Sequence, residues 1–300
     1  MNFRPLLLAA LFAGSIHAAS GATPMKLADY LALSGPAPTA RIPYGEAPSQ
    51  YAELFLPSGG GPFPVAVLVH GGCWTSKFGG ITQLRNMAGA LAARGIAVWN
   101  VEYRRSDEAG GGYPGTYQDM HAALELLAAQ AGRYRLDLER MVAVGHSAGG
   151  QLVQWMAGSA RIPAGSPLHR PDPPKVSAVV SLGGLADLRN EAALIKSSCG
   201  RDTAELAGVP GPGRPDVFVD TNAAELIPNG SRTWLVTGEL DTISPPRVAH
   251  DYAARARKAG DAAEVVILPG ASHYDEVAAT SHAWAQVLGV IERALGRPQP

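Results

Sequence analysis

Met141-Val142-Ala143-Val144-Gly145-His146-Ser147-Ala148-Gly149-Gly150-Gln151-Leu152-Val153 is the stretch whose reading decides the fold. An apolar run of four leads into G-x-S-x-G, and a helix-like segment follows. The reading is strand, sharp turn, helix. The bare pattern is weak. In a chain of 300 residues with 35 Gly, chance alone supplies about 0.25 matches. The flanks give it meaning. A serine on a strand-to-helix turn takes strained backbone, and the glycines two before and two after let neighbouring chain pack close. Such a turn pushes the hydroxyl into solvent and aims the new helix's N–H groups at the same place. The plain alternative is a tight Gly-Ser turn closing a strand–helix unit.

On both sides of this turn, short apolar runs alternate with amphipathic stretches. Val65–Val69, Ala97–Val101, Met141–Val144, Val176–Leu182, Thr233–Val236 and Glu264–Leu268 read as strands. They are near-continuously apolar, as strands buried on both faces are. Leu84–Ala93, Tyr117–Ala131, Gly149–Met156, Pro246–Ala259 and Trp284–Leu295 read as helices. The alternation predicts an α/β fold with a mostly parallel central sheet and helices on both faces. Residues 23–50, before the alternation begins, look like an irregular lead-in. Two spans break the alternation. Residues 161–175 read as a Pro-rich loop. Residues 187–230 are long, polar and irregular, and are expected to form a cap over the carboxyl ends of the strands. Ile195, Leu206, Val209, Val217 and Val219 would supply its apolar underside.

Composition excludes several classes. The chain is 46% hydrophobic and 17% charged, enough apolar material for a full core. Its formal charge is −1 and it holds no basic run, so a nucleic-acid partner is not expected. Two cysteines cannot make a four-cysteine zinc site. There is no H-E-x-x-H, and no G-x-G-x-x-G follows the first strand. Hence neither metal nor cofactor is expected.

Residues 1–22 read as a cleaved secretory signal: Arg4, then an apolar core from Pro5 to Ile16, then small residues. The rest, 23–300, reads as a single domain with its cap at about 187–230. The expected setting is periplasmic or secreted, without a stable membrane anchor. In such a compartment Cys73 and Cys199 could pair. Two free thiols is the favoured reading.

A serine alcohol is a poor nucleophile unless a base activates it and an acid orients the base. Both should follow at the ends of later strands, acid before histidine. Gly238-Glu239-Leu240-Asp241 follows one strand, and Gly270-Ala271-Ser272-His273-Tyr274-Asp275 follows the next. Asp241 and His273 are favoured on position, with Glu239, Asp275, Asp187 and His282 as competitors. The His146 ring is expected to face away from substrate. The first strand ends in His70-Gly71-Gly72-Cys73-Trp74, where glycines let backbone N–H groups approach a developing oxyanion. A second donor would be the N–H of Ala148, the residue after the serine. Trp74, Tyr103, Tyr113 and Tyr274 are candidates for an aromatic pocket wall.

The loop at 70–74, the elbow at 145–150, Asp241 and His273 together resemble the α/β-hydrolase superfamily. The likeness is to its esterase branch that includes kynurenine formamidase and small feruloyl and acetyl-xylan esterases, over about residues 50–297. The resemblance implies Ser147 as nucleophile, His273 as base and Asp241 as its orienter. Gly72, Cys73 and Ala148 would supply the oxyanion donors. It implies a carboxylic-ester hydrolase acting on a small-molecule ester through an acyl-enzyme. Arylformamidase is the first alternative, and a non-catalytic binding protein of the same fold a further one.

Overall fold

The computed structural model describes residues 23–297, so the leader expected over 1–22 lies outside the described residues. Among the described residues, eight strands form one sheet. They are β1 (Ala40–Pro43), β2 (Tyr51–Phe55), β3 (Phe63–Val69), β4 (Ala97–Val101), β5 (Leu136–His146), β6 (Ala178–Leu182), β7 (Arg232–Gly238) and β8 (Ala263–Leu268). Their order is β1-β2-β4-β3-β5-β6-β7-β8. β2 runs antiparallel to both its neighbours, and every other pairing is parallel.

Alternate side chains of one strand enter opposite cores. Val65, Val67 and Val69 of β3 pack on one side of the sheet, and Ala66 and Leu68 on the other. Both faces are covered, so no polar residue is needed in the run. The first core is closed by α3 (Gly115–Tyr134), α4 (Ala148–Ala157) and α7 (Pro246–Lys258). The second is closed by α2 (Arg85–Ala93) and α8 (Trp284–Ala294). The α/β class, the mostly parallel sheet and the helices on both faces are as the sequence predicts. No helix among the described residues is long and apolar enough to cross a membrane.

Three expectations need correction. The lead-in is not irregular throughout, since it forms α1 (Leu27–Leu31) and the edge strand β1. Five and four residues are too few to show a period. The span 187–230 is also structured, with α5 (Ala192–Cys199), α6 (Ala204–Ala207) and a short 3-10 turn at Ala223–Glu225. Ile195, Leu206 and Val217 are buried beneath it, whereas Val209 (76% exposed) and Val219 (39%) face solvent. Finally, Cys73 and Cys199 are not free. They form a disulfide with Cα atoms 5.5 Å apart, because α5 lies over the loop that follows β3.

Candidate active site

The sheet direction decides where the site lies. β3, β5, β7 and β8 are parallel, so the segments following them emerge at one edge. Ser147 stands between β5 and α4 with φ 53° and ψ −117°. Its N–H donates to the carbonyl of Leu182 at the end of β6, at 2.8 Å. A left-handed non-glycine residue costs about 1–2 kcal/mol, so the surroundings must enforce it. They leave no room for larger flanking residues. A Cβ on Gly145 would lie 2.2 Å from the Gly149 carbonyl oxygen, and one on Gly149 2.1 Å from that of Val69.

Ser147 borders a cavity of about 100 Å³ together with Gly72, Cys73, His146 and His273. Leu27, Tyr30, Phe78, Ser198, Ile243 and Tyr274 complete the wall. A larger cavity of about 280 Å³, lined by Gln154, Asp187 and Tyr252 among others, touches none of Ser147, Asp241 or His273.

The loop after β3 carries three successive left-handed residues: Gly72 (φ 106°), Cys73 (φ 53°) and Trp74 (φ 53°). Two are not glycine, so this loop too is strained. It is held on every side. Cys73 is bonded to Cys199 of α5. The Trp74 ring is buried, and its carbonyl accepts from Ser106 N–H at 2.8 Å and Ser106 Oγ at 3.0 Å. His70 is buried against Tyr103, with ring centroids 4.4 Å apart, and its Nε2 lies 2.7 Å from Glu102 Oε1. Burial works to raise the Glu102 carboxyl, yet His70 and Arg105 beside it hold it below the usual carboxylate range. Among the described residues no acceptor takes the N–H of Gly72, Cys73 or Ala148. Ala148 opens the ten-residue α4, whose N-terminus favours negative charge.

On the opposite wall, Asp241 Oδ2 lies 2.7 Å from His273 Nδ1. Both residues are buried. Asp241 Oδ1 accepts the N–H groups of Ile243 (2.7 Å) and Ser244 (2.9 Å), which fixes the carboxylate and leaves Oδ2 for the ring. With Nδ1–H donating to Asp241, the other ring nitrogen of His273 is an acceptor. His146 Nε2 donates to the backbone carbonyl of His273 at 3.0 Å, and the two rings stand 4.5 Å apart. Burial, and then His273, push the His146 ring well below the usual imidazole range, so it is neutral. The expectation that His146 faces away is therefore corrected. It borders the cavity and steadies the neighbouring histidine.

The competitors are placed elsewhere. Glu239 accepts from Gly270 N–H, and Asp187 binds Asn190, Asn222 and Arg255. His282 donates toward the Pro269 carbonyl. Asp275 accepts from Ser272 N–H and from Met25 N–H at 3.0 Å, which straps the lead-in onto the histidine loop. Of the four aromatic candidates only Tyr274 borders the cavity. Trp74 and Tyr103 are buried, and Tyr113 lies under Arg214. Sequence reading missed Leu27 and Tyr30, because nothing local marks a five-residue helix as part of a site, and Phe78, which ends the short 3-10 turn Ser76–Phe78.

The His146, His273 and Glu276 ligand atoms lie within 4.8 Å of one another. One atom of each is engaged: His273 Nδ1 with Asp241, His146 Nε2 with a carbonyl and Glu276 Oε1 with Gly238 N–H, while His146 Nδ1 and Glu276 Oε2 meet no partner among the described residues.

The BD-FAE family profile matches residues 53–254. No curated protein matches the sequence. Among solved structures, a truncated carbohydrate esterase from gut microbiota is similar with a TM-score of 0.69. Its identity is 18%, over 86% of this chain and 95% of its own. A bacterial heroin esterase is similar with a TM-score of 0.65 and 26% identity, covering 85% and 83% of the two chains. A propionate-bound thermophilic esterase from the Planctomycetes species Thermogutta terrifontis has a TM-score of 0.66 and 18% identity, over 87% and 96%. The two at 18% identity speak for the fold.

Proposed function

This chain belongs to the BD-FAE family, in the esterase branch of the α/β-hydrolases, and from that premise we propose that it hydrolyses small carboxylic esters through an acyl-enzyme on Ser147. The observation that carries the proposal is one arrangement. A left-handed Ser147 shares a small cavity with His273, whose far nitrogen is held 2.7 Å from a buried carboxylate.

In this reading Ser147 Oγ attacks the acyl carbon while His273 takes its proton. Asp241 holds the ring in the tautomer that can accept. The tetrahedral oxygen takes hydrogen bonds from the N–H groups of Gly72, Cys73 and Ala148, which have no acceptor among the described residues. His273 then returns the proton to the leaving alcohol. Water attacks the acyl-enzyme by the same route.

The cavity, about 100 Å³ and walled by Tyr30, Phe78, Tyr274, Leu27 and Ile243, suits a short acyl group. A p-nitrophenyl ester series should give the highest kcat/KM at acetyl or propionyl and a steep fall by octanoyl. A maximum at long chains would sink the short-acyl reading. We also propose that the substrate is met outside the cytoplasm, since a disulfide needs an oxidising compartment. N-terminal sequencing of protein recovered from the periplasm or medium should start near residues 20–23. An intact leader would contradict it.

A further inference from the structure

Resting on the relay just described, we propose that Glu276 is a positioning residue that works as an uncharged acid, donating its O–H to the Asp241 carboxylate. Glu276 lies in the 3-10 turn Asp275–Val277 and is fully buried. Its Oε1 accepts the N–H of Gly238 at 2.7 Å, three residues before Asp241. Its Oε2 meets no N–H or O–H donor among the described residues.

That oxygen sits beside the relay. A Cβ built on Gly183 would lie 2.6 Å from Glu276 Oε2 and 2.8 Å from His273 Nδ1, so both atoms border one point. Gly183, at φ 52°, keeps that point open. The titratable groups facing Glu276 are Asp241 beyond β7, Asp275 on its own turn, His273 and His146. Two are carboxyl groups and two imidazoles, and among the described residues no Arg or Lys pairs with Glu276.

A buried carboxylate with one N–H donor and two negative neighbours is costly, and protonation removes that cost. Burial and the Asp241 charge accordingly hold the Glu276 carboxyl well above the usual carboxylate range. Once protonated it has one O–H to donate. Asp241 can take it. A carboxylate offers about four lone-pair sites, and Asp241 spends three on Ile243, Ser244 and His273. The bond spreads part of the Asp241 charge and limits how far it rotates.

The sign of the effect follows. Without that donor, Asp241 holds the protonated imidazole more tightly, so the acid limb of kcat/KM moves to higher pH. Glu276→Leu should show that shift and lower kcat by about 10–100-fold, the rate equivalent of one hydrogen bond to a charged group. Glu276→Gln keeps a neutral donor and should restore most of the rate and the wild-type limb. Infrared difference spectra of wild type against Glu276→Gln at pH 7 should contain the carbonyl stretch of a protonated carboxyl. The spectroscopic arm does not need turnover, so it reads even where Ser147 is not the nucleophile. Absence of that band overturns the proposal. So does a wild-type limb and rate in folded Glu276→Leu, or a Glu276→Gln variant that shows the Leu variant's shifted limb.

Discussion

Two walls face each other across the cavity, and they are held by different means. Residues 70–75 are fixed by backbone and covalent structure: three left-handed residues, a disulfide and the buried Trp74 ring. Residues 238–244 and 269–276 are fixed by the Asp241–His273 hydrogen bond and by bonds from the Asp241, His146 and Glu276 side chains to backbone groups. The first wall presents N–H groups, which no pH change titrates. The second presents ionisable groups, two of which, His146 and Glu276, burial pushes toward their uncharged forms. Damage to the first should therefore appear as lost stability and lost turnover at every pH. Damage to the second should change how turnover depends on pH.

The comparison breaks most visibly at its shared member. Ser147→Ala should lower kcat by about 10⁴–10⁶-fold, and His273→Ala by a similar factor, with the double variant little worse than either. Asp241→Asn should cost less than either, as a carboxamide can still hold the ring but in the wrong tautomer. Steady-state kinetics on a short ester checks the order. A larger loss from Glu239→Gln or Asp275→Asn than from Asp241→Asn would reassign the acid.

On the donor wall, Cys199→Ser should lower unfolding free energy by about 2–5 kcal/mol, since the bond closes a long loop in the unfolded chain. The two cysteines are 126 residues apart. Chemical denaturation with and without reductant measures it. Turnover should fall by less than about tenfold with an unshifted pH profile, because the peptide N–H groups remain. A shifted profile would blur the distinction between the walls.

The smallest effect concerns buried imidazoles. His146 is held neutral, and so is His121, buried against Trp155 with both ring nitrogens unpartnered. Burial pushes His121 down to about 4. For a base whose pKa is depressed by folding, the unfolded chain binds protons that the folded one refuses. Stability is then full above about pH 6.5 and drains as pH falls through about 4. His121→Leu should recover about 2 kcal/mol of the loss between pH 7 and pH 5, read from urea midpoints. An unchanged slope would mean that His121 finds an acceptor on protonation.

How far the sequence carries these walls differs as well. The strands were legible because burial on both faces makes an apolar run, as at Val65–Val69, and Ser147 because strand, turn and helix are contiguous. The placement of His273 and Asp241 follows from position after parallel strands, and the structure brings them within 2.7 Å. What depends on distant chain meeting was not legible. The cysteine pairing needed the place of α5. Tyr30 needed α1 to cross to the His273 loop, where Met25 N–H reaches Asp275. Glu276 looks like any glutamate in a loop until its burial beside Asp241 is seen.

Ser147 as the activated nucleophile is most directly tested by trapping. The protein is treated with a fluorophosphonate at pH 7, and intact mass and peptide mapping are read. One adduct per chain on Ser147 is predicted, absent in Ser147→Ala and formed far more slowly in His273→Ala. No adduct, or an adduct on another residue, would contradict the account.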